Sequence, residues 1–326
     1  TTTFFKNGTG NSIGFDFTLY FTANPGTGRE LYVYDPNATT NKVSKIDVVA
    51  NNAEDPMHLT YYESGTNKYI LLSAETGTAN GRELVRINTT NDSATLLSIN
   101  PGGASSNPEG FTIYNGFVYF SATGFLGREL YRTDGSSTGT TLVKNINVSN
   151  NASSPINSNP NSFLEYNGEL YFQAEGSGVG VELFKVNSSN MVSLVEDYYI
   201  GSTGASFNPI PLFVYKERLY LSGTNGILNE LYSYREPTVF TGSIDDAWEN
   251  TANWTNGIPD ANIGAKIEAA VSISSNVECS FLDTTSNALI TMSPNSNNSP
   301  DVSLIVHKNW KSSTTTTNTI QLSNQN

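Results

Sequence analysis

One five-residue phrase recurs along this chain at a spacing too long for any single helix or strand. It reads Gly28-Arg29-Glu30-Leu31-Tyr32, Gly81-Arg82-Glu83-Leu84-Val85, Gly127-Arg128-Glu129-Leu130-Tyr131, Gly180-Val181-Glu182-Leu183-Phe184 and Leu228-Asn229-Glu230-Leu231-Tyr232. Successive glutamates lie 53, 46, 53 and 48 residues apart. That period belongs to a repeated supersecondary unit, and it dictates an architecture built from copies of one small motif.

The unit is read most easily between Asn161 and Asp197. Ser162 to Tyr166 is a short aromatic-rich run, Asn167-Gly168 is a type I′ hairpin signal, and Glu169 to Ala174 forms a second strand. A glycine-rich turn leads to a third strand, Val181 to Val186, and a fourth spans Met191 to Glu196. The same order recurs between Gly110 and Val148, from Met57, from Leu212 and, less regularly, from Ile13. Repeated four-stranded antiparallel meanders at this spacing predict the blades of a β-propeller, whose radial arrangement leaves only short edges. The expected fold is therefore all-β: a five-bladed propeller over residues 1–236, then a separate β-rich module over 237–326. The fifth unit lacks a fourth strand of its own, so Thr2 to Phe5 is expected to pair with its third strand and close the ring.

The third unit, Glu129-Leu130-Tyr131-Arg132-Thr133-Asp134-Gly135-Ser136 onward, resembles the ELW-x-x-DGT repeat of exported bacterial surface proteins, many from Bacteroidota. Tyr, Val or Phe stands where that family has Trp, and only this unit keeps Asp-Gly. The resemblance covers about 235 residues. It implies a propeller with adhesive or recognition roles, of the gliding, adhesin and type IX secretion kind, and it carries over no catalytic residue.

Five equivalent carboxylates on five blades lie on a ring and do not converge as an acid/base pair. Glu30, Glu83, Glu129, Glu182 and Glu230 are accordingly read as structural, accepting backbone N–H bonds that tie blades together. Recognition is expected on the face carrying the glycine-rich turns between second and third strands and the long connections between units, because long loops on a rigid scaffold are where binding resides. Each long connection ends in Asp-Pro or Asn-Pro, at Asp55-Pro56, Asn107-Pro108, Asn159-Pro160 and Asn208-Pro209. Proline biases its predecessor toward extended backbone, which would set the path into each first strand. The candidate binding residues on that face are Glu54, Asp55, Asn107, Glu109, Phe125, Asn159, Phe207 and Asn208. A carbohydrate-active enzyme is the alternative, with Glu54, Asp55 and Glu109 as its candidate acids.

Beyond Pro237 the sequence changes character. Trp248 and Trp254, in a W-x5-W segment like those found in exported Bacteroidota proteins, are expected to seal the start of a small β-sandwich or β-solenoid. Its strand-like runs are Ala265 to Ser272, Glu278 to Leu282, Ala288 to Met292, Val302 to His307 and Thr319 to Leu322.

Charge and composition narrow the function further. A net charge of −13 over 326 residues argues against nucleic acid and anionic membrane surfaces, which require a basic footprint. Cys279 is the sole cysteine, excluding an intrachain disulfide or a CxxC site. The two histidines, His58 and His307, fall in different predicted domains, which speaks against a His-based metal cluster or a Ser-His-Asp triad. No cofactor is indicated, and no spacing specifies calcium, although Glu54-Asp55 offers oxygen ligands. No apolar run is long enough for a transmembrane helix. The chain opens on Thr1-Thr2-Thr3 without a basic or apolar leader, as a processed or excised segment would. Richness in Asn, Ser, Thr and Gly with few lysines suggests an extracellular or outer-surface bacterial protein. Its expected partners are an extracellular glycan or protein and the outer-membrane secretion or attachment machinery.

Overall fold

A computed structural model of the chain describes residues 18–26, 28–48, 54–77, 81–100, 102, 104–148, 155–197, 206–224, 226–261, 263–279, 282–284, 289–292, 302–306, 310–312 and 320–322. It divides into two compact units, Thr1–Tyr232 and Ser233–Asn326. The proposed closing strand, Thr2 to Phe5, lies outside the described residues.

The first unit is a series of antiparallel meanders of the propeller type. Sheet one holds β1 (Leu19–Ala23), β2 (Glu30–Tyr34) and β3 (Val43–Ile46). Sheet two holds β4 (Met57–Ser64), β5 (Asn67–Glu75), β6 (Arg82–Asn88) and β7 (Ser93–Leu97). Sheet three runs through β8 (Glu109–Tyr114), β9 (Phe117–Gly124), β10 (Gly127–Thr133) and β11 (Thr141–Lys144), and sheet four through β12 (Asn161–Tyr166), β13 (Glu169–Gly176), β14 (Gly180–Val186) and β15 (Val192–Glu196). Sheet five has three strands, β16 (Ile210–Tyr215), β17 (Arg218–Thr224) and β18 (Asn229–Tyr234). The first strands of sheets two to five neighbour one another in turn, which makes them the inner strands of a radial stack.

Sheets two to four bury both faces, so their middle strands are almost continuously apolar. Tyr20, Leu31 and Val33 of sheet one pack on Ile70, Leu72 and Val85 of sheet two. Leu71, Leu84 and Tyr62 of sheet two pack on Val118, Phe120 and Tyr131 of sheet three. Tyr119 and Leu130 of sheet three pack on Leu170, Phe172 and Phe184 of sheet four. Polar ties accompany this packing. A tyrosine at or near the end of the inner strand of sheets two to four donates its hydroxyl to a hairpin-turn carbonyl of the next sheet: Tyr62 to Gly116 (2.6 Å), Tyr114 to Gly168 (2.7 Å) and Tyr166 to Glu217 (2.8 Å).

Those turns need left-handed backbone at both central residues. Asn115-Gly116 (φ 48° and 75°) and Asn167-Gly168 (φ 53° and 75°) supply it easily. In sheet five Lys216-Glu217 adopt 46° and 58° without glycine, a conformation that costs a side-chain-bearing residue energy.

The second unit is a parallel β-solenoid, which sets the sandwich alternative aside. Its strands are β19 (Thr238–Phe240), β20 (Ala265–Ile267), β21 (Val271–Ile273), β22 (Val277–Cys279), β23 (Leu282–Thr284), β24 (Ile290–Met292), β25 (Leu304–Val306), β26 (Trp310–Ser312) and β27 (Ile320–Leu322). They stack in parallel as β19-β20-β23-β26, β21-β24-β27 and β22-β25. The single run expected over Ala265 to Ser272 is two strands, because a solenoid turns a corner every few residues. Trp248 and Trp254 are both buried, their rings meeting edge to face at 4.7 Å, with Trp254 Nε1–H donating to the Trp248 carbonyl at 2.7 Å. They pack with Phe240, Ile267, Val271 and Cys279, so they belong to the solenoid core.

Two outcomes follow. Replacing Lys216-Glu217 by Asn-Gly is expected to stabilise the first unit by about 1 kcal/mol in urea titration. Trp254→Ala should cost about 3–5 kcal/mol and lower the melting transition of the solenoid, seen by calorimetry.

Candidate ligand-binding cavity at the inner strands

The connections into the inner strands are held by a repeated hydrogen-bond lattice. The residue before each Asp-Pro or Asn-Pro lends its carbonyl to the end of the second strand of its own sheet: Glu54 to Glu75, Ser106 to Thr123, Ser158 to Glu175 and Phe207 to Thr224, all at 2.7 Å. Backbone N–H groups beside it donate to the previous sheet's third strand, as Asp55 does to Arg29, Ser106 and Asn107 to Arg82, Ser158 and Asn159 to Arg128, and Asn208 to Val181.

The glutamates of the third strands complete this lattice. Glu83 accepts from the backbone N–H of Ile99 (2.8 Å) and Asn100 (3.3 Å) and from Ser106 Oγ (2.8 Å). Glu129 accepts from Ile146 N–H (2.8 Å) and Ser158 Oγ (2.5 Å), and Glu182 from Phe207 N–H (3.0 Å). Directly across the ladder from Glu83, Glu129 and Glu182 stand Ala74, Ala122 and Ala174, which leave room for the carboxylates. Glu30 is buried and paired with Lys45 at 3.3 Å. Glu230 is exposed and accepts only a long bond from Tyr232 Oη (3.2 Å) among the described residues.

Burial sets the electrostatics of these groups. It raises the Glu129 carboxyl to about 7, against partial compensation from the Ile146 and Ser158 bonds, and it raises Glu83 in the same direction. Oε1 of Glu129 is buried without a hydrogen bond, which suits a group that is protonated over part of the neutral range.

The expected binding residues fall into three environments. Glu54 and Phe207, read from the sequence as binding residues of the face loops, are fully or almost fully buried. Glu54 occupies the position of Ser106 and Ser158 and accepts from Val48 N–H at 2.9 Å; Phe207 lies edge to face on Tyr232 at 4.8 Å. Asp55, Asn107, Asn159 and Asn208 share a positive φ of 39°, 45°, 47° and 50°. The extended conformation expected before proline is thus corrected to a left-handed one, which Asp and Asn tolerate better than other side chains. Asp55 bridges Arg29 (3.2 Å) and Arg82 (2.8 Å), and Glu109 pairs with Arg128 (2.6 Å). The repeated arginine therefore clamps the start of an inner strand. Asn107, Asn159 and Asn208 are exposed, and Phe125 is 83% exposed at the β9–β10 turn.

What sequence reasoning missed lies two residues beyond each of the first three prolines. Met57 pairs with Ser73 and Thr60 with Leu71, so His58 and Leu59 together oppose one residue. The same two-against-one bulge places Gly110 and Phe111 between the Glu109–Ser121 and Thr112–Tyr119 pairs, and Ser162 and Phe163 between Asn161–Gln173 and Leu164–Tyr171. The leading residue of each bulge is left-handed: His58 at 56°, Gly110 at 74°, Ser162 at 59°. A bulge takes a residue out of the ladder and re-aims its neighbours. Here the three bulges line one cavity of about 340 Å³, walled by His58, Leu59, Thr60, Gly110, Phe111, Thr112, Ser162 and Phe163. In sheet five Pro211 holds the equivalent position, and its fixed negative φ moves the bulge on to Leu212. A polar or small residue followed by an apolar one, at a fixed offset from Pro, was the available signal.

Among the described residues the lining offers hydroxyls, an imidazole and apolar faces, and no carboxylate, lysine or arginine. Gly110 keeps it open, since a Cβ there would come within 3.1 Å of the Phe163 ring. Among the described residues no cluster of three or more His, Cys, Asp or Glu could hold a metal ion, and no helix is long and apolar enough to cross a membrane.

No protein-family model matches the sequence, and no curated protein matches it. Solved structures similar to the chain include the Dos1 propeller, at 10% identity and a TM-score of 0.40, covering 68% of this chain and 54% of that one. A puromycin hydrolase S511A mutant matches at 12% identity and a TM-score of 0.38, over 63% of this chain and 31% of the hydrolase. A nidogen/laminin complex matches at 11% identity and a TM-score of 0.35, over 68% and 76% respectively. The chain thus spans about a third of the hydrolase's length.

The buried glutamate gives a pH test. A carboxyl whose folded value lies above its unfolded one contributes most below about pH 4.5 and loses that contribution as pH rises through about 7. The stability of the native chain relative to Glu129→Gln should therefore fall between pH 5 and 8, by at most about 1.4 kcal/mol per pH unit. Urea titrations of both proteins across that range measure it, and parallel curves would contradict the assignment.

Proposed function

We propose that this chain is a non-enzymatic recognition module of a secreted or cell-surface protein, binding an uncharged, hydroxyl-bearing glycan at the inner-strand cavity. The observation that carries this reading is the division of labour among the polar groups. Asp55 and Glu109 are tied to arginines and Glu54 is buried in the lattice. The cavity is lined by Thr60, Thr112 and Ser162 beside Phe111 and Phe163; their hydroxyls donate to the His58 and Gly110 carbonyls and to Asn161 Oδ1, which leaves the oxygens as acceptors toward a ligand. Hydroxyls and apolar ring faces suit a sugar resting in a shallow, open site. The composition and the ELW-x-x-DGT resemblance support an exported location and an adhesive or spacer role in a larger surface assembly.

A glycan array followed by calorimetric titration tests the proposal. Gly110→Val, which fills the cavity and opposes the positive φ, should weaken binding more than tenfold. Thr112→Val, which keeps the volume and removes the hydroxyl that donates to the Gly110 carbonyl, should weaken it several-fold while costing only about 1 kcal/mol of stability. Turnover of any polysaccharide in a parallel hydrolysis screen would overturn the non-enzymatic reading in favour of a carbohydrate-active enzyme.

A further inference from the structure

The bulges that shape the cavity also fix the direction of its hydrogen bonds. Thr60 Oγ1 donates to the His58 carbonyl at 3.1 Å and Thr112 Oγ1 to the Gly110 carbonyl at 3.2 Å, so in sheets two and three a threonine reaches back to the leading residue of its own bulge. A carbonyl can only accept, so the proton in both bonds is the threonine's. Ser162 Oγ meets Asn161 Oδ1 at 2.8 Å. The direction there follows from the amide: Asn161 Nδ2 donates to the Asn159 carbonyl at 3.0 Å, which leaves Oδ1 as the acceptor turned to the serine.

All three lining hydroxyls have therefore committed their single proton within the protein, and each has only lone pairs left for a ligand. Turning a threonine proton outward would break a bond that satisfies a carbonyl of the bulge. Among the described lining side chains His58 alone offers an N–H, one when its ring is neutral. The same wall holds no lysine or arginine to meet a negative charge, and the chain carries a net charge of −13. Two rings lie among these oxygens, each seated on a buried one: Phe111 edge to face on Phe120 at 5.4 Å, and Phe163 tilted against Phe172 at 5.5 Å. The missing side chain of Gly110 leaves a notch beside Phe163, with Ser162 next to that ring in the chain and Thr112 two residues from the glycine.

We infer that the cavity selects neutral glycans whose hydroxyls are free to donate, and rejects O-methylated, sulfated and uronic-acid glycans. The inference rests on the recognition reading above and adds to it the polarity of each contact. A free sugar hydroxyl supplies the proton that a wall oxygen lacks. An O-methyl group removes that proton and adds bulk. A sulfate or carboxylate brings acceptors alone, which meet lone pairs across the contact and find no counter-charge in the described wall. Each such mismatch leaves oxygens unpaired on both sides.

Equilibrium titration of the full chain with dextran, mannan and galactan, each in native, O-methylated and O-sulfated form, tests it. At least one native polysaccharide should bind, and its methylated and sulfated forms should bind about tenfold more weakly or not at all. Thr112→Ser, which keeps the hydroxyl, should retain that preference. Thr112→Lys, which places a cationic donor in the wall, should narrow or reverse the preference against the sulfated form, with circular dichroism verifying that both variants fold. A methylated or sulfated form that binds as tightly as its native parent would overturn the inference and leave glycan recognition standing, and so would an unchanged preference in a folded Thr112→Lys chain. Binding of none of these polysaccharides in any form would overturn the recognition reading, and the inference with it.

Discussion

The first unit depends on carboxylates taken out of water and surrounded by backbone donors. A meander sheet has no covalent reason to stop where the next begins, and its apolar faces would slide over one another if packing alone held them. Glu83, Glu129 and Glu182 remove that freedom by gathering N–H groups and hydroxyls from the segments that lead from one sheet toward the next. Removing a carboxylate from water is costly, and hydrogen bonds to it recover part of that cost only in one geometry. The tie is therefore a register device as much as a source of stability. The alanine opposite each glutamate and the serine one residue before Asn-Pro, at Ser106 and Ser158, are its accessories.

Much of this was legible in the sequence because it is periodic. The Glu-Leu phrase marked the third strands, Asn-Gly marked two of the hairpins, and Asn-Pro or Asp-Pro marked the approaches to the inner strands. What was not legible depends on contacts between units. Glu54 and Phe207 looked like loop residues because the connections around them are polar, yet each fills a position held by serine in other repeats. Left-handed backbone before proline could not be read from the dipeptide, since local sterics favour the extended form and the tertiary lattice overrides them. The bulges escaped notice because His58, Gly110 and Ser162 share no side-chain chemistry; they share only a φ.

The two units bury apolar surface by different means. In the first, sheets two to four are covered by neighbours on both faces, whereas sheet five leaves Leu231 and Phe213 exposed. In the solenoid, side chains turn inward to a single core, and Trp248, Trp254 and Phe240 supply bulk where β19 begins the stack. A parallel ladder of three-residue strands leaves its corners free for loops, while an antiparallel meander fixes both its turns and its connections.

The three inner-strand bulges separate what the molecule must keep from what it can change. Positions 58, 110 and 162 answer to one backbone requirement, a positive φ, and otherwise stand outside the ladder and the carboxylate lattice. Histidine, glycine and serine already occupy them in a single chain. Such a site works like a lock with interchangeable pins: its shape and polarity can be rewritten one repeat at a time, and the barrel that houses it need not be recut.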